Sequence, residues 1–241
     1  MNVAVILAGG TGTRVGANVP KQFIEILDKP ILAYTLDNFQ NHPNIDAIEI
    51  VYHKDWRSEI ERIVAQYGYD KVRWYAEGGD SFQASAMNGI FKLRDKLSPE
   101  DIVVLSFGVS PMTTAEIIDD SLRVCQKYGN AIASEDMALC TCIMDDEISS
   151  TQSILRETLK GFSNPWTFRF GEVCAVYEEA ARRGILDTVE PHTTSVYFAL
   201  GKRIYFSKTN TLNFKITTKE DLDLFEGLLL LRQKRTERNN L

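Results

Sequence analysis

The chain has 241 residues, 44% of them hydrophobic, with 27 basic against 33 acidic side chains and a formal net charge of −6. That length suits a single large α/β domain able to bury roughly three quarters of its unfolded surface. The acidic balance speaks against nucleic acid or an anionic membrane as partner, since both call for a basic excess, and four irregularly spaced cysteines exclude a disulfide framework.

Val3 to Leu7 is a short run of aliphatic residues that predicts a buried strand, and Gly9, Gly10 and Gly12 follow it at once. A glycine-rich turn exposes backbone N–H groups able to curl around a polyanion, and Arg14 and Lys21 add two cations beside it. The dinucleotide pattern GxGxxG fails because position 15 is Val15, which disfavours a nicotinamide-dependent enzyme, and a GxxxxGK[ST] loop fails because no Gly-Lys pair is near. No run approaches the roughly 20 apolar residues of a membrane span, and the early core strand leaves no room for a signal peptide, so a cytoplasmic protein is expected.

Further along, apolar spacing predicts a helix over 30–39, a buried strand over 47–52, an amphipathic helix over 56–67 and a strand over 72–75. Gly78 and Gly79 then turn into a helix over 81–93 with Ala84, Met87, Ile90 and Phe91 inward. A strand at 102–105, a helix over 114–128, a strand near 131–133 and a hairpin-like excursion at 145–153 follow, then a helix over 171–184 and a strand near 204–207. Thr218 opens a final helix over 219–232, whose basic run Arg232 to Arg238 suits a solvated helix C-terminus. Cys140 and Cys142 share one face of a strand-like stretch and read as reduced thiols, with no metal site assigned to them. The alternation predicts a Rossmann-like layered α/β sheet, mostly parallel, with helices on both faces.

LAGGTGTRVGANVPKQF near the N-terminus, GGDSFQAS at 78–85 and FKITTKEDL at 214–222 resemble the cytidylyltransferases that activate sugar-alcohol phosphates, including the methylerythritol 4-phosphate and ribitol 5-phosphate enzymes. The similarity runs from Val3 to about Leu224. It implies one nucleotidyltransferase domain over 1–241 with a protruding β-arm at about 138–160 that pairs two subunits as a homodimer. It further implies CTP and a polyol phosphate as partners, with Ala8, Gly9, Gly10, Thr11, Gly12, Gly79, Asp80 and Ser85 binding the nucleotide. Arg14, Lys21 and Lys215 would be catalytic, and Arg156 of the arm would bind the second substrate.

Mg2+ is implied as cofactor, yet the family's His-Asp-Ala-Val-Arg-Pro reads Ser106-Phe107-Gly108-Val109-Ser110-Pro111 here, so Phe107 stands where the metal-binding aspartate belongs and Ser110 where an arginine belongs. Phe82 replaces a usual arginine. Asn164-Pro165-Trp166 replaces Thr-Pro-Gln, and Pro191 to Ser195 replaces Thr-Asp-Asp-Ala-Ser. No protein metal ligand is assigned. Two expectations follow: a working cytidylyltransferase with an altered acceptor pocket around Phe82, Phe107, Ser110 and Trp166, or a paralogue that binds nucleotide as a binding or regulatory subunit with impaired catalysis. The stretches 53–56, 97–104 and MTTAEII resemble the ribitol branch more closely than the methylerythritol branch.

Overall fold

A computed structural model describes residues 1–10 and 19–239. In chain order the elements are β1 (Asn2–Ala8), a two-residue hairpin β2 (Glu25–Ile26) and β3 (Lys29–Pro30), α1 (Ile31–Gln40), β4 (Ala47–Tyr52), α2 (Arg57–Tyr67), β5 (Val72–Glu77), α3 (Phe82–Lys92) and β6 (Ile102–Phe107). Then come α4 (Ala115–Tyr128), β7 (Asn130–Asp136), the arm strands β8 (Thr141–Ile143) and β9 (Gln152–Ile154), β10 (Lys160–Arg169), α5 (Phe170–Arg182), α6 (Thr193–Ala199), β11 (Phe206–Lys208) and α7 (Lys219–Asn239).

Seven strands form one sheet in the order β11-β7-β10-β6-β1-β4-β5. β1 pairs in parallel with both β4 and β6, whereas β10 runs antiparallel to β6 and to β7. The chain builds outward from β1 through β4 to β5 and then crosses back to β6, so the order reverses beside β1 and a crevice opens at the carboxyl ends of β1 and β6. Both faces are covered. Val3, Val5, Val103 and Leu105 point into a core closed by α3, α5 and α6, while Ala4, Ile6, Ile48 and Val104 point into the opposite core against α1, α2 and α4. Strands buried on two faces read as unbroken apolar runs, which is why β1, β4 and β6 are plain in the sequence.

Three elements differ from expectation. β10 is a ten-residue central strand, and its pairing with β7 shifts register between Phe162 and Trp166, around a proline that has no N–H to give the ladder. α6 forms over Thr193–Ala199, where the sequence suggested only a replaced polar motif. α7 continues to Asn239 rather than stopping near 232, opened by a reciprocal cap in which the Asp221 carboxylate accepts from the Thr217 and Thr218 N–H groups at 2.7 and 2.9 Å.

The inward face of α3 is wider than expected, although Ile90 is buried and Met87 and Phe91 do pack against the core. The buried residues are Gln83, Ala86, Gly89 and Ile90, with Ala84, Met87 and Phe91 only half-buried. Gly89 is the reason. A Cβ there would lie 2.6 Å from Val51 Cγ2 and 3.1 Å from Val5 Cγ1, so the helix rests directly on β1 and β4 and turns its glycine toward them. Gly89→Ala is expected to force the helix off the sheet and cost about 1–3 kcal/mol, read as a lowered urea midpoint with an unchanged slope.

Beneath the same helix lies Glu49, fully buried on β4 with neither carboxylate oxygen hydrogen-bonded. Burial pushes its pKa from 4.5 up to about 8, opposed only by the charge of Lys92. The folded protein therefore keeps a proton that the unfolded chain releases above 4.5. The resulting stabilisation is complete below that pH and is lost as pH rises through about 8, a change on the order of 4 kcal/mol. Glu49→Gln should flatten this dependence between pH 5 and 9. Parallel denaturation profiles for the two proteins would refute a protonated Glu49.

Candidate active site

The crevice at the end of β1 is a cavity of about 480 Å³ lined by Ala8, Gly9, Gly10, Lys21, Asp80, Ser85, Phe107 and Lys215. Six of the expected nucleotide-binding positions thus cluster there, since Gly79 lines it too. Arg14, Thr11 and Gly12 lie outside the described residues.

The glycine turn is held by a residue that sequence reasoning passed over. Gln22, 1% exposed, donates its amide to the Ala8 carbonyl at 2.8 Å and to the Gly10 carbonyl at 3.0 Å. Those two bonds anchor the backbone of residues 8–10 where β1 ends. Lys21, also buried, donates Nζ to the Ile216 carbonyl at 2.8 Å, a contact 195 residues long in sequence. Ile216 in turn donates its N–H to the Val109 carbonyl at 2.9 Å. The first and last motifs are thereby tied to each other and to the loop after β6.

On the opposite wall, Ser81 caps α3 by accepting from the Ala84 N–H at 3.0 Å, and the helix N-terminus faces the crevice. Ser85 turns back on the Gly78-Gly79 turn, accepting from the Gly79 N–H at 3.0 Å and reaching its carbonyl at 3.2 Å. A Cβ at Gly79 would sit 2.5 Å from that of Ala84, so only glycine lets the turn fold this closely onto the helix.

A second cavity of about 630 Å³ adjoins the first and shares Phe107 and Lys215 with it. Its walls include Phe162, Asn164, Trp166, His192, Phe198 and Phe214. The side chains that depart from the resembled pattern meet here. Phe82 lies 5.3 Å from Phe107, 5.4 Å from Trp166 and 5.2 Å from His192 between ring centroids. Ser110 does not join them; it is fully buried and lines neither cavity.

Behind the rings runs a buried polar network that no charge pattern announces. Asn164 donates to Ser106 at 3.2 Å and to Thr113 at 2.9 Å, and Thr113 donates to the Asn213 amide oxygen at 2.9 Å. Asn213 donates back to the Asn164 carbonyl at 2.5 Å. These bonds join β6, β10 and the segment that carries Lys215.

Among its described residues the first cavity offers a divalent cation one carboxylate, Asp80, and no cage built from protein ligands alone. Phe107 offers a ring where a carboxylate would be needed, and among the described residues no three His, Cys, Asp or Glu side chains converge. Arg156 also stands apart. It sits in the arm, donating Nη1 to the Ala138 carbonyl at 3.2 Å, and lines neither cavity. The arm itself is the expected hairpin, β8 pairing antiparallel with β9, and it exposes Leu139, Met144, Ile148 and Leu155.

Comparison with known proteins agrees with this geometry. Residues 2–231 match the family model described as IspD, 2-C-methyl-D-erythritol 4-phosphate cytidylyltransferase. A ribitol-5-phosphate cytidylyltransferase of Lacticaseibacillus paracasei is 34% identical over 229 residues, covering 95% of this chain and 98% of the relative. A 2-C-methyl-D-erythritol 4-phosphate cytidylyltransferase of Clostridium acetobutylicum is 34% identical over 233 residues, covering 95% and 97%. The crystal structure of 4-diphosphocytidyl-2C-methyl-D-erythritol synthase from Anaerococcus prevotii superposes with a TM-score of 0.80 at 23% identity, over 95% of this chain and 96% of that one, a likeness of fold. With the glycine turn, the Lys21 bridge and Lys215 gathered at one crevice, and near-complete alignment to relatives of one kind, this chain belongs to the IspD family of cytidylyltransferases.

Proposed function

We propose that this chain is a CTP-dependent nucleotidyltransferase that converts a sugar-alcohol phosphate into a CDP-polyol, with ribitol 5-phosphate the favoured acceptor and methylerythritol 4-phosphate the next. The observation that carries this reading is the pair of adjoining cavities joined at Lys215. One is walled by Gly9, Gly10 and a helix N-terminus suited to phosphates and a nucleoside, the other by rings, by Asn164 and Asn213, and by the carboxylates of Glu135 and Glu190, which can hydrogen-bond the hydroxyls of a polyol. The ribitol preference is supported by the branch-like stretches at 53–56 and 97–104 and by the Lacticaseibacillus paracasei relative. Its product would feed isoprenoid or teichoic acid and capsule precursor synthesis in the cytoplasm. No helix among the described residues is long and apolar enough to cross a membrane.

In the transfer step an oxygen of the acceptor phosphate attacks the α-phosphorus of CTP. The new P–O bond forms as the bond to the β-phosphate breaks, and its electron pair leaves on pyrophosphate. No proton has to move. The protein's part is alignment and charge: the Gly9 and Gly10 amides and Arg14 along the triphosphate, Lys215 at the junction, and Lys21 holding the segment that carries Lys215. Asp80 and Ser85 face the nucleoside side. Magnesium, which the family implies, would enter on the triphosphate, and no step is assigned to a protein-held metal.

The arm's exposed apolar side chains and the distance of Arg156 from the cavities favour a homodimer in which each arm completes the partner's acceptor site.

Pyrophosphate release with CTP and ribitol 5-phosphate is the direct test, and Lys215→Ala should lower kcat roughly a hundredfold. CTP binding without turnover of any polyol phosphate would instead favour a nucleotide-binding subunit. Arg156→Ala and Lys215→Ala proteins, each strongly impaired alone, should recover about a quarter of wild-type activity when unfolded and refolded together in equal amounts. Half of such a population is heterodimer, with one intact site of two. No recovery would refute sharing of the site.

A further inference from the structure

Phe107 and Lys215 are the two residues common to both cavities, and they touch: Lys215 Nζ lies 3.9 Å from the centroid of the Phe107 ring. Under the proposed function this contact sits where the acceptor phosphate would meet the α-phosphate, so what holds the ammonium there bears on the rate. We propose that Phe107 is a positioning residue whose ring face keeps the Lys215 ammonium aimed at the seam between the cavities.

A lysine stem has four rotatable bonds and wanders unless something fixes its head. A carboxylate would fix it but would also cancel its charge and compete with the incoming phosphates for the same protons. An aromatic face attracts the cation through its quadrupole, within the roughly 6 Å over which such contacts act, and leaves the full positive charge available. The ring yields as soon as a phosphate arrives.

Both members of the pair are anchored from behind. Phe107 ends β6 and packs edge to face on Trp166 at 6.1 Å, as well as on Phe82. Trp166 is fixed by donating its indole N–H to the Ser163 carbonyl at 2.6 Å. The backbone around Lys215 is held on one side by Asn213 and on the other by the Ile216 contacts to Lys21 and Val109. The ring and the ammonium thus stand on two rigid supports, β6 and the 213–216 segment, and meet at the one place the cavities share.

The test compares Phe107→Tyr, which keeps the face, with Phe107→Leu, which keeps an apolar side chain and loses it. Phe107→Leu should lower kcat about tenfold while leaving KM for CTP within about threefold, and Phe107→Tyr should stay close to wild type. In a Lys215→Ala background Phe107→Leu should cost nothing further, because the ring acts through the ammonium. Should Phe107→Leu fail to fold by circular dichroism, Phe107→Met serves in its place. Independently of turnover, reductive 13C-methylation of the lysines should give, besides any signals from Lys29, Lys127 and Lys160 near their own tyrosine and phenylalanine rings, an upfield resonance that is absent in Lys215→Ala and in Phe107→Leu and kept in Phe107→Tyr. Unchanged kcat in Phe107→Leu, effects that multiply with Lys215→Ala, or the lack of an upfield resonance that depends on both Lys215 and Phe107 would each overturn the proposal. If wild-type protein releases no pyrophosphate from CTP with any polyol phosphate, the functional reading falls, and the resonance still decides where the ammonium sits.

Discussion

An ammonium taken out of water must find oxygen for its protons, and Lys21 meets that demand across almost the whole length of the chain. Its bond to the Ile216 carbonyl ties the segment after β11 to Lys21 beside the crevice. Gln22, its neighbour, holds the backbone where β1 ends through two carbonyls. Two consecutive buried polar side chains therefore anchor residues 8–10 and the segment that carries Lys215. A change at either would be felt in the geometry of the site before it was felt in the core.

The parts of this architecture legible in the sequence are those governed by burial. β1, β4 and β6 are covered on both faces and read as apolar runs, and α2 and α4 carry a single apolar stripe, so their positions follow within a residue or two. β10 escaped because its buried stretch contains asparagine, proline and threonine, residues whose local preferences point to turns. Its strand character comes from neighbours on both sides, β6 and β7, which local patterning does not encode. The face of α3 was legible only in part for a related reason: glycine contributes nothing to a hydrophobic stripe, yet Gly89 is a point at which the helix touches the sheet.

The candidate site divides in the same way. Glycines beside cations are a visible signal, and the described members of that set do converge. Neutral amides and hydroxyls give no such signal, so the Asn164, Thr113 and Asn213 network emerges only in three dimensions. Position by position, Phe82, Phe107, Trp166 and His192 look like four unrelated departures from a family pattern. In space their rings form one cluster, with Phe82 lining the first cavity, Trp166 and His192 the second, and Phe107 both. Rings that exchange faces and edges with each other constrain one another, so a change of shape at one of these positions is felt at the other three.

The antiparallel strand at the centre of the sheet has a bearing on how the chain is made. β6 is an apolar strand whose second neighbour, β10, follows it by more than fifty residues, and β7, synthesised in between, gains its place in the sheet only through β10. At about 5–20 residues per second, a ribosome leaves the open edge of β6 unpaired for several seconds. During that interval the nascent protein carries a bare row of amides and carbonyls on an apolar ribbon, the kind of surface that invites another chain to join it. Protection by a chaperone would matter most in that interval, before Trp166 and Phe168 arrive to close the sheet.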